Sequence, residues 1–536
     1  MRIPIAQLDV DKVFLRLGWH GYYQLFIAFL LSLQWIFHAF QSMSWAFIGL
    51  YHPFTCVEIN ATTTSNTSIV YGDTQCTSPI DNKTACGVDG LSRFEFDPSF
   101  GTTLTSEYLL VCDRYVLAKL GTTLYTLGGL LGDIPVAQLS DLYGRKWVFL
   151  ICYWLALLLT VLRTQMNSYI VEMIIYVLLG ASTAGVVSTG YVLSCEHLTP
   201  VVRGVALSMM ENLIWVVGYM LQGIAVFLVP NWRWMVFYTN VPFLLTISFI
   251  WLIPESLHWL IAENHYKRAE KLVPKILKLN CATDRVDLND CLRDDATVAT
   301  DRSRRSRRTV LDVLKSPILL FHGLITCYNG CIAMLVYWAL SLYSTQMSDD
   351  RFTGYFLQGL IEIPAGIMGP LLLFKIGRRT LTVIAQVVTA IGFIARIFCP
   401  ADAPSWLTLS TYLVAKYGNI LIWPGNFLLQ AEIFPTTLRN IGYGLMATVS
   451  SLGNMAAPFL GDLLTRNPPL GSAIFVALCL TSALFTLALP ETKDQELPED
   501  IPDVPLGPFL SRFMKKKEKS SANGPVTVNL EKESVL

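Results

Sequence analysis

The feature that most constrains this chain is a series of apolar runs about 20 residues long, the length an α-helix needs to cross the hydrocarbon core of a bilayer. Twelve such runs are legible, at about 22–48, 117–139, 147–163, 169–194, 204–229 and 234–254, then at about 317–345, 354–374, 379–399, 405–430, 438–464 and 470–489. Backbone polar groups inside a bilayer must pair within the chain, so each run predicts a helix. Composition agrees: 53% of the 536 residues are hydrophobic and 15% charged, against about 25% charged in soluble domains. The same apolar content excludes a disordered chain. The 40 basic and 40 acidic side chains cancel, without the basic excess that nucleic-acid binding uses. The expected class is an all-α membrane protein of twelve transmembrane helices, with no nucleic-acid partner.

Orientation follows from the short polar connections, because Lys and Arg are retained on the cytoplasmic side. With the N-terminus inside, the inner connections hold Arg2, Lys12, Arg16, Arg145, Lys146, Arg203, Lys375, Arg378, Arg379 and Arg439. The outer ones hold only Arg163, Arg233, Arg351 and Arg466. Both termini are therefore expected in the cytosol, with the first run acting as a retained anchor. The two sets of six runs also repeat. Gly144-Arg145-Lys146 recurs as Gly377-Arg378-Arg379, and Pro254-Glu255-Ser256 recurs as Pro490-Glu491-Thr492. Glu196, seven positions before Arg203, recurs as Glu432, seven before Arg439. The offsets are 233, 236 and 236 residues, each at the same boundary in both halves. A duplicated six-helix unit is the architecture of the major facilitator superfamily, with a site between the halves near the midplane. The expected domains are an N-terminal segment 1–21, a first bundle 22–254, a cytoplasmic loop 255–316, a second bundle 317–490 and a cytoplasmic tail 491–536.

Residues 49–116 form a large polar segment expected outside the membrane. It carries three glycosylation sequons, at Asn60, Asn66 and Asn82. It also holds Cys56, Cys76, Cys86 and Cys112; in an oxidising compartment these predict two disulfides, with three connectivities open. In the cytoplasmic loop, Lys267 to Leu279 has helical character, and Arg302 to Thr309 is a basic run. That run fits a kinase target, a contact with anionic lipid or a solvated positive loop. The last four residues, Glu533-Ser534-Val535-Leu536, fit an ending read by PDZ domains. No zinc-ligand spacing, phosphate-binding loop or nucleophile elbow is present in the sequence, so neither a cofactor nor an enzymatic activity is expected.

Several longer stretches resemble one family. Thr105-Ser106-Glu107-Tyr108-Leu109-Leu110-Val111-Cys112-Asp113 resembles the outer-loop signature of the organic cation, anion and zwitterion transporters, solute carrier family 22. So do Asp141 to Lys146, Pro254 to Leu260, Glu362-Ile363-Pro364-Ala365 and Glu432 to Asn440. The resemblance implies facilitated transport of small organic ions across the plasma membrane, without ATP. Three positions depart from the family pattern. Tyr176 stands where an Arg is usual, and Leu257-His258 where Pro-Arg is usual. Ser451 occupies the position at which cation transporters tend to have Asp and anion or carnitine-type members Arg. Substrate charge is therefore left open.

A charge at a helix centre costs about 2.5–3.5 kcal/mol on insertion scales, so such residues usually face a cavity or a partner. Four stand out: Asp133, Glu211, Glu362 and Lys416. Asp133 and Glu211 are expected in structural or gating roles. Glu362, one turn after Gln358, either neutralises an ammonium substrate, steadies the Pro364 bend or pairs with Lys416. Lys416 matches a position commonly basic in the family. One Glu and one Lys facing the cavity would suit a zwitterion bound with its charges at opposite ends. Tyr337 and Trp338 match an aromatic pair typical of the family, suited to cation–π contact; Trp215, Trp35 and Trp423 are weaker candidates. For the gate, Asp141, Arg145, Glu196, Arg203, Glu255, Arg378, Glu432, Arg439 and Glu491 are expected to form one ion-pair network locking the inner face. The leading function is thus a secondary transporter of an organic cation or zwitterion. The alternatives are an organic anion transporter, a sugar or polyol porter, and a non-transporting receptor or scaffold.

Overall fold

A computed structural model of the chain describes residues 8–17, 21–49, 52–58, 68–69, 92–111, 114–280, 310–400, 402–435 and 437–495, with short stretches at 497–498, 501, 504–509 and 511. Twelve long helices appear where the apolar runs predict them, with ends within about one turn. In the first half they are α1 (Tyr22–Ile48), α2 (Tyr115–Tyr143), α3 (Arg145–Arg163), α4 (Tyr169–His197), α5 (Pro200–Leu228) and α6 (Trp232–Leu252). In the second they are α7 (Pro317–Leu342), α8 (Arg351–Leu360 and Glu362–Lys375), α9 (Arg378–Ile397), α10 (Ser405–Ile433), α11 (Arg439–Arg466) and α12 (Pro468–Thr486). The amphipathic stretch predicted after the first half is the helix Tyr266–Leu279, with Val273, Ile276 and Leu277 buried.

Among the described residues, nine of these helices are long and apolar enough to cross a membrane by composition alone; α2, α10 and α11 are not. The exceptions carry charges: Lys119, Asp133 and Asp141 on α2, Lys416 and Glu432 on α10, and Arg439, Asp462 and Arg466 on α11. They also meet other helices rather than lipid alone. Across the seam between the halves α2 packs against α11, while α10 lies against α7, α8 and α9. Within the first half α2 and α4 approach closely, and a methyl on Gly128 would overlap the Val177 carbonyl. Small residues at such crossings let backbones touch and gain dispersion contact.

Two helices break at proline. In α6, Pro242 begins a 3-10 stretch, Val241–Ser248, as expected where a ring removes an amide donor. In α8 the helix is interrupted at Ile361, three residues before Pro364. The proline cannot donate to Leu360, so that carbonyl is released and Glu362 opens the second segment.

The large polar segment contributes structure the sequence reading did not anticipate. β1 (Phe54–Glu58) lies between β2 (Ser68–Ile69) and β3 (Ser92–Phe96) in an antiparallel sheet, with Cys56 opposite both Ile69 and Phe94. Strands this short carry too little alternation to be read from sequence. The residues that follow are fastened to both halves. Glu107 accepts from the Trp232 indole at 2.7 Å and pairs with Arg233. Arg351, at the start of α8, donates to the Ser99 carbonyl at 3.2 Å and lies 4.3 Å from the Phe100 ring centre. Asn60, Asn66, Asn82, Cys76, Cys86 and Cys112 lie outside the described residues, as do the basic run Arg302–Thr309 and the tail ending.

Candidate substrate path between the halves

Two charged side chains meet deep in the second half. Glu362 and Lys416 each stand eleven residues into their helices, about 16 Å from the end that carries the sheet. Their charged atoms are 3.1 Å apart, with 1% and 0% of the side chains exposed. The Tyr337 hydroxyl donates to Glu362 at 3.0 Å and accepts from the Trp215 indole at 2.9 Å. Trp215 is on α5, so this bond crosses the seam. Lys416 also donates to the Ser341 hydroxyl, and its ammonium sits 3.5 Å from the centre of the Tyr337 ring. The arrangement is a buried cation held by a carboxylate, a hydroxyl and an aromatic face.

The other predicted binding residues divide. Gln358 is fully buried one turn from Glu362; its amide donates weakly to the Met347 sulfur and its oxygen has no hydrogen-bond partner. Trp338 is 7% exposed, stands edge-on to Tyr337 and packs into the apolar core. The Ser451 hydroxyl donates back to the Ala447 carbonyl of its own helix. Zwitterion recognition with the charges at opposite ends does not describe this conformation, because Glu362 and Lys416 satisfy each other.

At the sheet end the halves are joined by a contact that sequence reasoning missed. Lys119 on α2 pairs with Asp462 on α11 at 2.7 Å, with 10% and 8% of the side chains exposed. Asp462 also takes the Tyr115 hydroxyl and Arg466. Nearby, the Thr123 hydroxyl donates to the Met455 carbonyl, Tyr355 donates to the Tyr219 carbonyl and their rings stack at 4.3 Å. The signal was legible: Lys119 and Asp462 fall within predicted apolar runs in different halves. A second missed pair, Arg163 with Glu172 at 2.7 Å, is wholly buried within the first half. There the Arg163 guanidinium lies 4.5 Å from the ring centre of Tyr176, the residue that departs from the family pattern.

The predicted gate residues lie at the opposite end, where their described contacts fall into two clusters, one per half. Arg145 pairs with Glu196 at 3.3 Å and with Asp141 at 2.9 Å. Its counterpart Arg378 pairs with Glu432 at 3.0 Å. Glu255 accepts from the Lys146 amide at 3.0 Å, as Glu491 does from the Arg379 amide at 3.4 Å. The Lys146 ammonium reaches the Ile250 carbonyl and the Arg379 guanidinium reaches Leu489. Apart from the Arg145–Asp141 pair, the sequence repeat is a structural repeat. It is not perfect: Gly144 has φ of 102°, a conformation glycine tolerates, and Gly377 does not. Burial pushes the Glu255 carboxyl up, against hydrogen bonds from Lys146 and Ser256. Burial acts the same way on Glu491, but amides of Thr380 and Arg379 outweigh it and hold that carboxyl down. The Arg439 guanidinium leaves two nitrogens without a hydrogen-bond partner; the Arg203 side chain lies outside the described residues.

The sequence pattern of the Major Facilitator Superfamily matches residues 113–458, more than half of the chain. The chain belongs to that superfamily. An organic cation transporter protein of Drosophila melanogaster is 29% identical over 92% of this chain and 94% of its own length. Solute carrier family 22 member 2 of Rattus norvegicus is 27% identical over 78% of this chain and 74% of its own. These relatives are similar to the chain along most of its length. Among solved structures, the inward-open xylose transporter XylE from E. coli superposes with a TM-score of 0.61 at 17% identity, covering 88% of this chain and 97% of XylE. A partially occluded inward-open form of XylE gives 0.58 at 16% identity, over 89% of this chain and 99% of that one. At such identities the likeness is one of fold.

Proposed function

We propose that this major facilitator protein is a secondary transporter of small organic ions, working by alternating access in the plasma membrane and favouring cations or zwitterions. The sheet end is the outer face, and both termini are cytosolic. The observation that carries the reading is the buried Glu362–Lys416 pair beneath the Tyr337 ring, linked across the seam by Trp215. A buried ion pair is a poor device for stability, since desolvation can exceed the Coulombic gain. At the seam it has a use. An incoming ammonium or guanidinium can take the place of Lys416 against Glu362 and the Tyr337 face, releasing Lys416 to bind a carboxylate. The two charges of a zwitterion then separate a pair that is closed when the site is empty.

The gate follows from the same contacts. Lys119–Asp462 and the Tyr219–Tyr355 contact close the outer seam, while the cytoplasmic clusters stiffen each half and leave the inner seam without ion pairs among the described residues. Breaking the outer contacts lets the halves rock about the midplane. The names of the relatives, an organic cation transporter among them, support the substrate class.

Uptake in transport-null cells tests the reading. With a quaternary ammonium, an aryl carboxylate and a betaine as substrates, E362Q should abolish ammonium uptake first and K416Q carboxylate or betaine uptake first. Equal loss of all three at equal surface abundance would overturn the charge-matching mechanism.

A further inference from the structure

Glu211 is an intramembrane carboxylate that this mechanism leaves unused. It stands eleven residues into α5 and is 6% exposed. Among the described residues it forms no ion pair, and its Oε1 has no hydrogen-bond partner. An ionised carboxylate held out of water is costly unless it takes up a proton or a positive group comes to it. Its surroundings suit a soft cation. The Trp35 indole N–H faces the carboxylate, outside normal hydrogen-bond geometry. Trp35 stands edge-on to Trp215 at 6.2 Å, and His38 lies 5.9 Å and 5.4 Å from these two rings, its Nδ1 also unpartnered. The site borders the seam: the neighbouring Asn212 amide fills the space beside Gly366 of the other half. On the cytosolic side, Glu211 is near Tyr191, which is 41% exposed and itself near Tyr443 of α11.

We propose that Glu211, walled by Trp35, Trp215 and His38, is a second organic-cation site, occupied when the outer seam is closed. The proposal rests on the reading of the chain as an organic-ion transporter and deepens it. In the closed state Glu362 is already neutralised by Lys416 and hydrogen-bonded by Tyr337, so it has no charge to offer. Glu211 does. Trp215 belongs to both places, donating to Tyr337 through its N–H while its ring borders the Glu211 site. A cation leaving Glu362 as Lys416 returns therefore has a carboxylate and aromatic faces to move to, on its way to the cytosol. Site class and ligand follow from carboxylate attraction combined with cation–π contact.

The test uses the full chain in cells, with tetraethylammonium as the probe and surface abundance measured for every variant. E211Q should raise the half-saturating internal concentration for efflux by about tenfold, the scale of one charge-assisted contact. The influx KM should change by less than about threefold. Trp35→Leu, which keeps every charge, should raise the efflux constant by about threefold. Efflux unchanged in both variants would overturn the Glu211 site while leaving the transporter reading intact. Equal weakening of influx and efflux would also overturn it, because a general structural defect predicts that pattern. A wild-type chain that moves no organic cation in either direction would overturn the functional reading and this site together.

Discussion

Lys416 and Glu362 make sense only as a couple. Removing one partner leaves a buried charge unpaired, which costs about 3–5 kcal/mol. The double replacement leaves no charge and costs far less. We therefore expect E362Q and K416Q each to lower abundance and thermal stability, and the double variant to recover most of both without recovering uptake. Fluorescence-detected melting beside a transport assay reads the two effects separately; a double variant as unstable as the worse single one would contradict the pairing. The members of this site were legible in the sequence because a charge in an apolar run is conspicuous. Their pairing was one of three alternatives there, and only packing decides it, since the partners are 54 residues apart on different helices and α8 must lie against α10. Lys119 and Asp462 were passed over for a related reason: near the ends of their runs they look like interface residues, and 343 residues separate them.

Equivalent helix junctions in the two halves have diverged electrostatically. The Glu491 carboxyl lies below its ordinary value of 4.5; its contribution is therefore present above that value and lost as pH falls through the lower value it has in the fold. Glu255 lies above the same value, so ionising it opposes folding and its junction strengthens in acid. At neutral pH, E491Q should cost about 1 kcal/mol, a figure already discounted for its partial exposure, and should remove the acid sensitivity of the α9–α12 junction. E255Q should be neutral or slightly stabilising. Melting curves of both variants from pH 7 down to about pH 4 check this; a larger loss for E255Q would contradict it. The repeat itself was readable from three short motifs. Which charges meet was not, because a repeat within each half and a network across both halves use the same residues.

Across the whole molecule the seam is asymmetric, closed by Lys119–Asp462 at the sheet end and without an ion pair among the described residues at the other. D462N should shift the population outward, and a cysteine placed at Thr123 should then react faster with a membrane-impermeant thiol reagent. An unchanged labelling rate would mean that the ion pair does not hold the seam. Twelve helices and their order were legible because bilayer thickness fixes the length of an apolar run. The polarity of α2 and α11 was the clue to the seam, and it becomes readable only once the two helices are seen to face one another. The central claim is that this chain moves an organic ion through that seam by its own gradient. Uptake of a quaternary ammonium into proteoliposomes, without ATP and with an imposed inside-negative voltage, tests it directly. Saturable uptake that accelerates with voltage and is lost in E362Q is the expected result; no uptake of this cation, or uptake indifferent to voltage and to E362Q, would contradict the account.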